Sequence, residues 1–229
     1  MIEIQTDHNK TFVTNSSSIP LALHACCGPC SLEPLRLLQK EGFAPTIFWS
    51  NPNIQPIAEY DRRLETLLLW AQASAIQTVN CDVPELREVW EAEVGPKAKA
   101  TLLTSDKTLR ANRCKACYKL RLERSADEAA KRGFHYFSTT LAVSPYQYFD
   151  ECGEELAAAA SKYGMEPVWR DFRDYYPEAT KRSRELGMYR QKYCGCRFSA
   201  SEAALEKRAR KEERMRRGEE KQRNEGLKV

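Results

Sequence analysis

Seven of the nine cysteines fall into three tight clusters, and thiols so placed can do only a few kinds of chemistry. The stretch His24-Ala25-Cys26-Cys27-Gly28-Pro29-Cys30 sets two adjacent thiols ahead of a Gly-Pro turn and a third just past it. Cys114-Lys-Ala-Cys117 is a CxxC pair and Cys194-Gly-Cys196 a CxC pair. Cys26, Cys27, Cys114 and Cys117 together supply four thiolates, a number that suits a tetrahedral zinc or a four-iron cluster. Adjacent residues rarely both reach one small ion, whereas a cubane offers separate irons as separate targets. The vicinal pair therefore favours iron–sulfur over zinc, and both over a metal-free thiol/disulfide relay. The CxC forces two sulfurs onto a Gly-containing loop. There they can hold an ion with a third ligand, for which Cys30 is the spare thiol, or close a strained, readily reduced disulfide. A structural zinc is the plainer reading of the same pair. Cys81 and Cys152 stand alone and read as small core or surface residues.

Thiols scattered over the chain need elements that bring them together. Residues 20–25 (PLALHA) read as a short buried strand, followed after the CCGPC turn by a helix over 31–42 that stops at Gly42. TIFWS is a second strand, NPNIQP a turn, and a long helix follows with apolar positions at Tyr60, Leu64, Leu67, Leu68 and Ala71. IQTVNCDV reads as a third strand, PELREVWEAEV and residues 113–133 as helices, HYFSTTLAVS as a later strand, and EELAAAASKYG as the helix after it. This alternation predicts an α/β fold, an open parallel sheet with helices on both faces. With the first strand central, HACCGPC lies at that strand's carboxyl end, where such sheets bind ligands. Cys30 then sits near a helix N-terminus, whose dipole favours thiolate. Asn51 and Asn53 fall at the same edge, where turn formation explains them equally well. His24, inside an apolar strand, reads equally as a satisfied core histidine and as a ligand or acid.

The chain has 229 residues, 42% of them hydrophobic, enough for one good core. The expected organisation is a polar N-terminal segment over 1–18, a single α/β catalytic domain over 19–200, and a charged C-terminal helix or disordered tail over 201–229. The tail holds ten Lys or Arg against seven Asp or Glu, and the body 26 against 25, so the net charge of +4 says little about nucleic acid and local charge says more. Residues 110–124 carry Arg110, Arg113, Lys115, Lys119, Arg121 and Arg124 against Glu123 alone. Residues 181–197 carry Lys181, Arg182, Arg184, Arg190, Lys192 and Arg197 against Glu185 alone. Both stretches flank cysteine clusters and are placed to grip phosphates, with Tyr118, Tyr146, Tyr189 or Tyr193 available for stacking. The basic tail reads as a solubilising element. The N-terminus has no basic start and no apolar h-region, and no apolar run reaches membrane length, so a cytoplasmic location without a membrane partner is expected. In that compartment clustered thiols bind metal or do redox chemistry. With no P-loop, GxGxxG or Ser-Gly-Gly loop, nucleotide-driven chemistry is disfavoured.

HACCGPC, NPNIQPIAEYDRR, RCKACYKLRL, TTLAVSPYQ and GMYRQKYCGCRFS occur in that order over about residues 20–200. Jointly they resemble the QueH family, the cobalamin-independent epoxyqueuosine reductases. The resemblance implies a HUP-like fold and an oxidoreductase that removes the epoxide oxygen from epoxyqueuosine at the tRNA wobble position, the last step of queuosine synthesis. By motif, Cys26, Cys27, Cys114 and Cys117 would hold a [4Fe–4S] cluster. Cys194 and Cys196 would form a redox-active disulfide or, with Cys30, bind a second, mononuclear iron or zinc. Some members carry Asp at the Cys30 position, so this chain would bind that ion more softly or not at all. Cys194, Cys196, Cys30 and His24 are then the catalytic candidates, with His24, Tyr118 or Tyr146 as proton donor. Asn51, Asn53, Tyr118, Arg121, Tyr146, Gln147 and Arg190, all within these motifs, are the substrate-contact candidates. The implied partners are the tRNA anticodon loop and an electron donor that the sequence leaves unidentified. Two rival readings of the same residues are a zinc-stabilised RNA-binding module and a thiol/disulfide oxidoreductase acting on proteins.

Overall fold

Side-chain alternation along the first strand decides the architecture. A computed structural model describes residues 18–99 and 107–226, so the expected polar segment lies, apart from Ser18, outside the described residues. In chain order the elements are β1 (Ile19–Ala25), α1 (Gly28–Lys40), β2 (Phe43–Trp49), α2 (Ile57–Ala73), β3 (Thr78–Asn80), α3 (Leu86–Lys99), α4 (Lys107–Ala130), β4 (Tyr136–Thr139), α5 (Phe149–Lys162), β5 (Glu166–Pro167), α6 (Tyr176–Glu185) and α7 (Arg197–Gly226). β1 sends Leu21, Leu23 and Ala25 to one core, with Leu35 and Leu38 of α1 and Tyr60 and Leu67 of α2. Its Ala22 joins a second core, with Leu122, Ala126 and Ala129 of α4 and Leu156 and Ala159 of α5. β2 divides the same way, Ile47 and Trp49 against Phe48. A strand apolar on both faces must be covered on both.

The five strands run in the order β3-β2-β1-β4-β5, and every pairing is parallel. β1 is central, and the chain order reverses beside it, between β1 and β4. That reversal opens the crevice at the carboxyl ends of the strands where ligands bind in this architecture.

Several boundaries differ from the sequence expectation. β3 covers only Thr78–Asn80 of IQTVNCDV, and β4 stops at Thr139. There the Thr139 hydroxyl accepts from the Leu141 amide at 3.2 Å and starts a 3-10 turn over Thr140–Val143, so the β-branched run does not continue the strand. α1 begins three residues early because Cys27 caps it, its sulfur accepting from the Cys30 amide at 3.4 Å, with Pro29 tolerated in the first turn. β5 and α6 have no counterpart in the sequence reading: two residues are too few for periodicity, and α6 is a strongly polar helix. α7 begins at Arg197 and runs unbroken to Gly226, so no element boundary falls at residue 200. Among the described residues no helix is long and apolar enough to cross a membrane.

α6 is fastened to α1 through a buried carboxylate. Glu33 has no exposed side-chain surface and pairs with Arg36 at 2.6 Å and with Arg182 of α6. Burial alone would raise its pKa, but the two guanidinium groups outweigh it and hold the carboxyl below its usual range. A depressed carboxyl contributes stability that is fully present above its unfolded pKa, ~4.3, and lost as pH falls through the folded value. Glu33→Gln should therefore cost about 2 kcal/mol at pH 7, discounted from the buried-pair figure because both arginines are partly solvated. In urea titrations the gap between variant and wild type should narrow below pH 4. A gap of equal size at pH 3.5 and pH 7 would show that the charge is not what counts.

Candidate active site

Six cysteines from three remote segments wall a single cavity of about 1430 Å³ at the switch point: Cys26 and Cys30, Cys114 and Cys117, and Cys194 and Cys196. β1 delivers Cys26 and α1 delivers Cys30. α4 presents Cys114 and Cys117 one turn apart on one face, and the loop before α7 carries the CxC. Cys27 sits behind this wall, 1% exposed, with its sulfur 3.9 Å from that of Cys26 and accepting from Gln191 Nε2 at 2.9 Å. The sulfurs of Cys26, Cys27 and Cys30 all lie within 4.8 Å of one another, a spacing that fits a thiolate shell with metal–sulfur bonds of ~2.3 Å. This grouping sets Cys30 beside Cys26 and Cys27; the CxC sulfurs line the same cavity without joining the group. All nine cysteines are free thiols, Cys194 and Cys196 included, and Cys81 and Cys152 are core residues.

The thiols share very little negative charge. Cys26 is held well below the usual thiol range, chiefly because the Cys27 and Cys30 thiols donate to it, helped by the Thr140 hydroxyl at 3.5 Å. Burial raises Cys27, and donation to Cys26, with burial behind it, raises Cys30. Desolvation likewise raises Cys114 and Cys117, and with the neighbouring Cys196 sulfur pushes Cys194 up to about 11. Neutral thiols are poor nucleophiles, so of these sulfurs Cys26 is the one poised to attack or to ligate. A bound metal displaces those protons itself. Donors already aim at the sulfurs: Trp90 Nε1 to Cys117 at 3.3 Å, Arg113 Nη2 to Cys114 at 3.7 Å, and the Ser199 amide to Cys196 at 3.4 Å. Such contacts orient and tune sulfur ligands.

Behind the sulfurs runs a buried polar network that takes in three of the sequence candidates. Arg121, 1% exposed, donates to the Ser50 carbonyl at 3.2 Å and to Asn51 Oδ1 at 2.5 Å, and Asn51 donates in turn to the Ala25 carbonyl at 2.8 Å. His24 Nε2–H donates to the same Ser50 carbonyl at 3.2 Å, which leaves Nδ1 to accept from Thr139 at 2.8 Å. Burial first, and Arg121 second, lower the His24 pKa to about 3. His24, Asn51 and Arg121 therefore do not line the cavity; they lock β1, β2 and β4 together beneath it. A neutral imidazole with both nitrogens engaged has no proton to lend, which corrects the expectation for His24. Arg121, fully enclosed, is out of reach of a phosphate. Burial lowers its pKa, and the neighbouring Cys117, Cys194 and Cys26 sulfurs outweigh that and raise it. It pairs with no carboxylate among the described residues.

The CxC loop is clamped from outside by residues the sequence reading did not single out. Arg63 of α2, 2% exposed, donates Nη1 to the Cys194 carbonyl at 2.8 Å and Nη2 to the Tyr193 carbonyl at 3.2 Å while pairing with Glu59 at 2.7 Å. It closes the motif NPNIQPIAEYDRR, and its local pattern is an acidic residue four positions upstream, common to many solvated helix pairs. Gly195 accepts from the Gln55 amide at 3.0 Å and has φ +152°, and a Cβ there would lie 2.8 Å from Asn53 Nδ2 and 3.1 Å from Ile54. Gly195→Ala should lower unfolding free energy in urea by about 2–4 kcal/mol, adding backbone strain to overpacking. At Gly28 the colliding atom is only the tip of Met188, so Gly28→Ala should cost under ~1 kcal/mol. Equal losses at the two glycines would contradict the packing described for the loop.

Of the remaining substrate candidates, Asn53, Tyr118, Tyr146 and Gln147 line the cavity. Tyr118 donates to Gln147 Oε1 at 2.7 Å, and Gln147 Nε2 reaches Cys194 at 3.5 Å. Tyr146 is 76% exposed at the rim, edge-on to Tyr176 at 6.0 Å between ring centroids. Arg190 is half-buried and not on the wall, whereas its neighbours Gln191 and Lys192 are. Asn53 and Gln191 each leave a buried carbonyl oxygen without a donor. The basic stretch 110–124 is largely spent internally: Arg110 and Arg113 on Glu202, Lys115 on Glu154, and Arg124 on Asp127 and Glu128.

An open parallel α/β domain with a thiol-walled cavity at its switch point offers a cysteine group that could hold a metal ion. The sequence model for epoxyqueuosine reductase QueH matches residues 21–202. An epoxyqueuosine reductase QueH from Thermotoga maritima is 34% identical over 184 residues, 79% of this chain and 90% of the relative. Those from Dehalococcoides mccartyi and Haemophilus influenzae are each 30% identical, covering 80% of this chain and 93% of the first, and 86% of this chain and 80% of the second. The chain belongs to the epoxyqueuosine reductase QueH family.

Proposed function

We propose that this enzyme reduces epoxyqueuosine to queuosine at the wobble position of a tRNA anticodon, with an iron–sulfur cluster as its redox centre. The observation that carries this reading is the meeting of six cysteines at one cavity beside a buried guanidinium that pairs with no carboxylate among the described residues. Removing an epoxide oxygen takes two electrons and two protons and releases water. The donor set suits iron and sulfide: among the described residues no histidine lines the cavity, and its two wall carboxylates face arginines, Glu202 paired with Arg110 and Arg113 and Glu206 with Arg110 and Arg210. Cys26, Cys27, Cys114 and Cys117 would hold a [4Fe–4S] cluster, which supplies electrons one at a time, and Cys30, Cys194 and Cys196 would hold any second ion, a Lewis acid for the oxygen. Arg121 offsets the negative charge that such thiolates bring.

The chain's own residues do the rest. Tyr118 presents a buried phenol on the wall, its hydroxyl donating to Gln147 Oε1 beside Cys194, and would deliver a proton to the opened oxygen once the substrate takes the place of that acceptor. The unfilled carbonyl oxygens of Asn53 and Gln191 accept from hydroxyl or amine groups of the modified base. The anticodon loop offers that base single-stranded, so little unstacking is needed, and the rim pair Tyr146 and Tyr176 offers it a face to stack on. Incubating anaerobically purified, reduced protein with epoxyqueuosine-bearing tRNA and weighing the wobble nucleosides tests the proposal. Loss of one oxygen mass is expected, from a brown protein carrying iron and sulfide in cluster proportion, and Cys117→Ser should abolish both colour and conversion. A colourless, zinc-only preparation that converts nothing would leave an RNA-binding module as the better account.

A further inference from the structure

We infer that the free-standing part of α7 is a phosphate-gripping arm that holds the anticodon arm of the tRNA over the cavity. The inference rests on the substrate class proposed above. The match to the QueH family ends at residue 202, and α7 runs to Gly226, so this arm lies beyond the shared domain. Only its base is anchored: Phe198 packs with Trp90, Arg197 pairs with Glu91, and Glu202 pairs with Arg110 and Arg113. Residues 204–217 are all exposed, including Leu205 and Met215, so no core contact accounts for this stretch.

Its charges are not scattered as a solubilising tail requires. Lys207, Arg210, Lys211 and Arg214 stand at i, i+3, i+4 and i+7, on one face, and all four line the same cavity as the cysteines. Of the neighbouring glutamates Glu206 lines it too, facing Arg110 and Arg210, whereas Glu212 and Glu213 do not, and Glu213 is turned to Arg217. Arg210 has only Glu206 at 4.0 Å, and Lys207, Lys211 and Arg214 form no ion pair among the described residues. The row spans ~10 Å of helix, over which an RNA strand offers several phosphates. Unmatched cations on the wall of a cavity whose substrate is a polyanion have their counter-charge supplied by that substrate. α4 does not offer as much, since most of its cations are already paired.

The test is equilibrium binding of unmodified tRNA to the full chain, followed as a function of salt. Replacing Lys207, Arg210, Lys211 and Arg214 by glutamine should weaken binding on the order of 10²-fold at 0.1 M salt and reduce the slope of log K against log salt by about 3. Arg210→Lys with Arg214→Lys should keep both, because the contact is with charge rather than with a planar fork. Unchanged circular dichroism guards against misfolding, and these exposed positions carry no core. Affinity and slope within twofold of wild type would overturn the inference while leaving epoxide reduction standing. So would capture of the wild type by vesicles of 30% phosphatidylserine with tRNA binding indifferent to the glutamines, which would make the arm a membrane element. Failure of wild-type protein to convert the nucleoside would sink the reductase reading, and the binding isotherms would still decide the arm.

Discussion

Arg121→Met is expected to leave the metal-free protein nearly as stable as wild type and to weaken the metal-loaded protein sharply. In the free protein Arg121 is a fully buried cation facing mostly protonated thiols, so its desolvation is poorly compensated, and removing it relieves that strain while orphaning Asn51 Oδ1 and leaving the Ser50 carbonyl to His24 alone. The two effects oppose each other at about 1–3 kcal/mol each. Loading the thiols with metal turns several into thiolates, and the same guanidinium then compensates real negative charge. Without it, metal retention against a chelator should fall about 10–100-fold, as for other residues that support ligands from behind. Conversion of the nucleoside should fall with it. The measurement is urea unfolding of the loaded and stripped forms of both proteins, together with iron release to a chelator. Equal losses in the two forms would assign Arg121 to the fold alone and remove the electrostatic argument for the cluster.

How much of this was legible in the chain depends on what each feature leaves in local pattern. The strand-helix alternation and the central position of β1 were readable because PLALHA, TIFWS and the amphipathic helices carry strong periodicity, and the CCGPC turn then fell at the active edge. The three cysteine clusters were readable as types and spacings. Whether they meet was not, because no local signal tells which face of α4 turns to the crevice. His24 and Arg121 show the same limit from the other side: each looked like a site residue by composition, and each proves to bind the Ser50 carbonyl inside the core. The basic stretch 110–124 looked like a phosphate grip because the carboxylates that neutralise it, Glu202 and Glu154, lie far away in sequence. α7, read as a solvated tail, carries the unpaired cations instead. β5 and α6 escaped for lack of apolar pattern, and the latter is fixed through Glu33, a tertiary contact.

The largest loss of stability should come from Arg63→Ala, a residue that touches no sulfur. Arg63 spans from α2 to the CxC loop, and its alanine variant leaves two carbonyls, of Cys194 and Tyr193, without donors and Glu59, 11% exposed, with only the Tyr189 hydroxyl. Breaking a buried pair by removing one member costs about 3–5 kcal/mol, and this one also releases the loop that positions two of the cavity thiols. Urea unfolding should register that loss. Hydrogen exchange should rise selectively over residues 193–199, since the Gly195 amide is held by Ser199 within the loop. Arg63→Lys separates charge from shape. Lysine can still meet Glu59, but its point charge cannot bridge two carbonyls as the guanidinium fork does, so about half of the loss should return while the loop stays mobile. Because α2 is remote from the thiols in sequence and packs on the opposite face from α4, a drop in iron retention in Arg63→Ala would trace a mechanical route to the cavity: α2 holds the loop, the loop holds Cys194 and Cys196, and those sulfurs line the same cavity as Cys26. Normal exchange over 193–199 in the alanine variant would mean that Tyr193, through its hydroxyl on the Gln55 carbonyl, fixes the loop without the arginine.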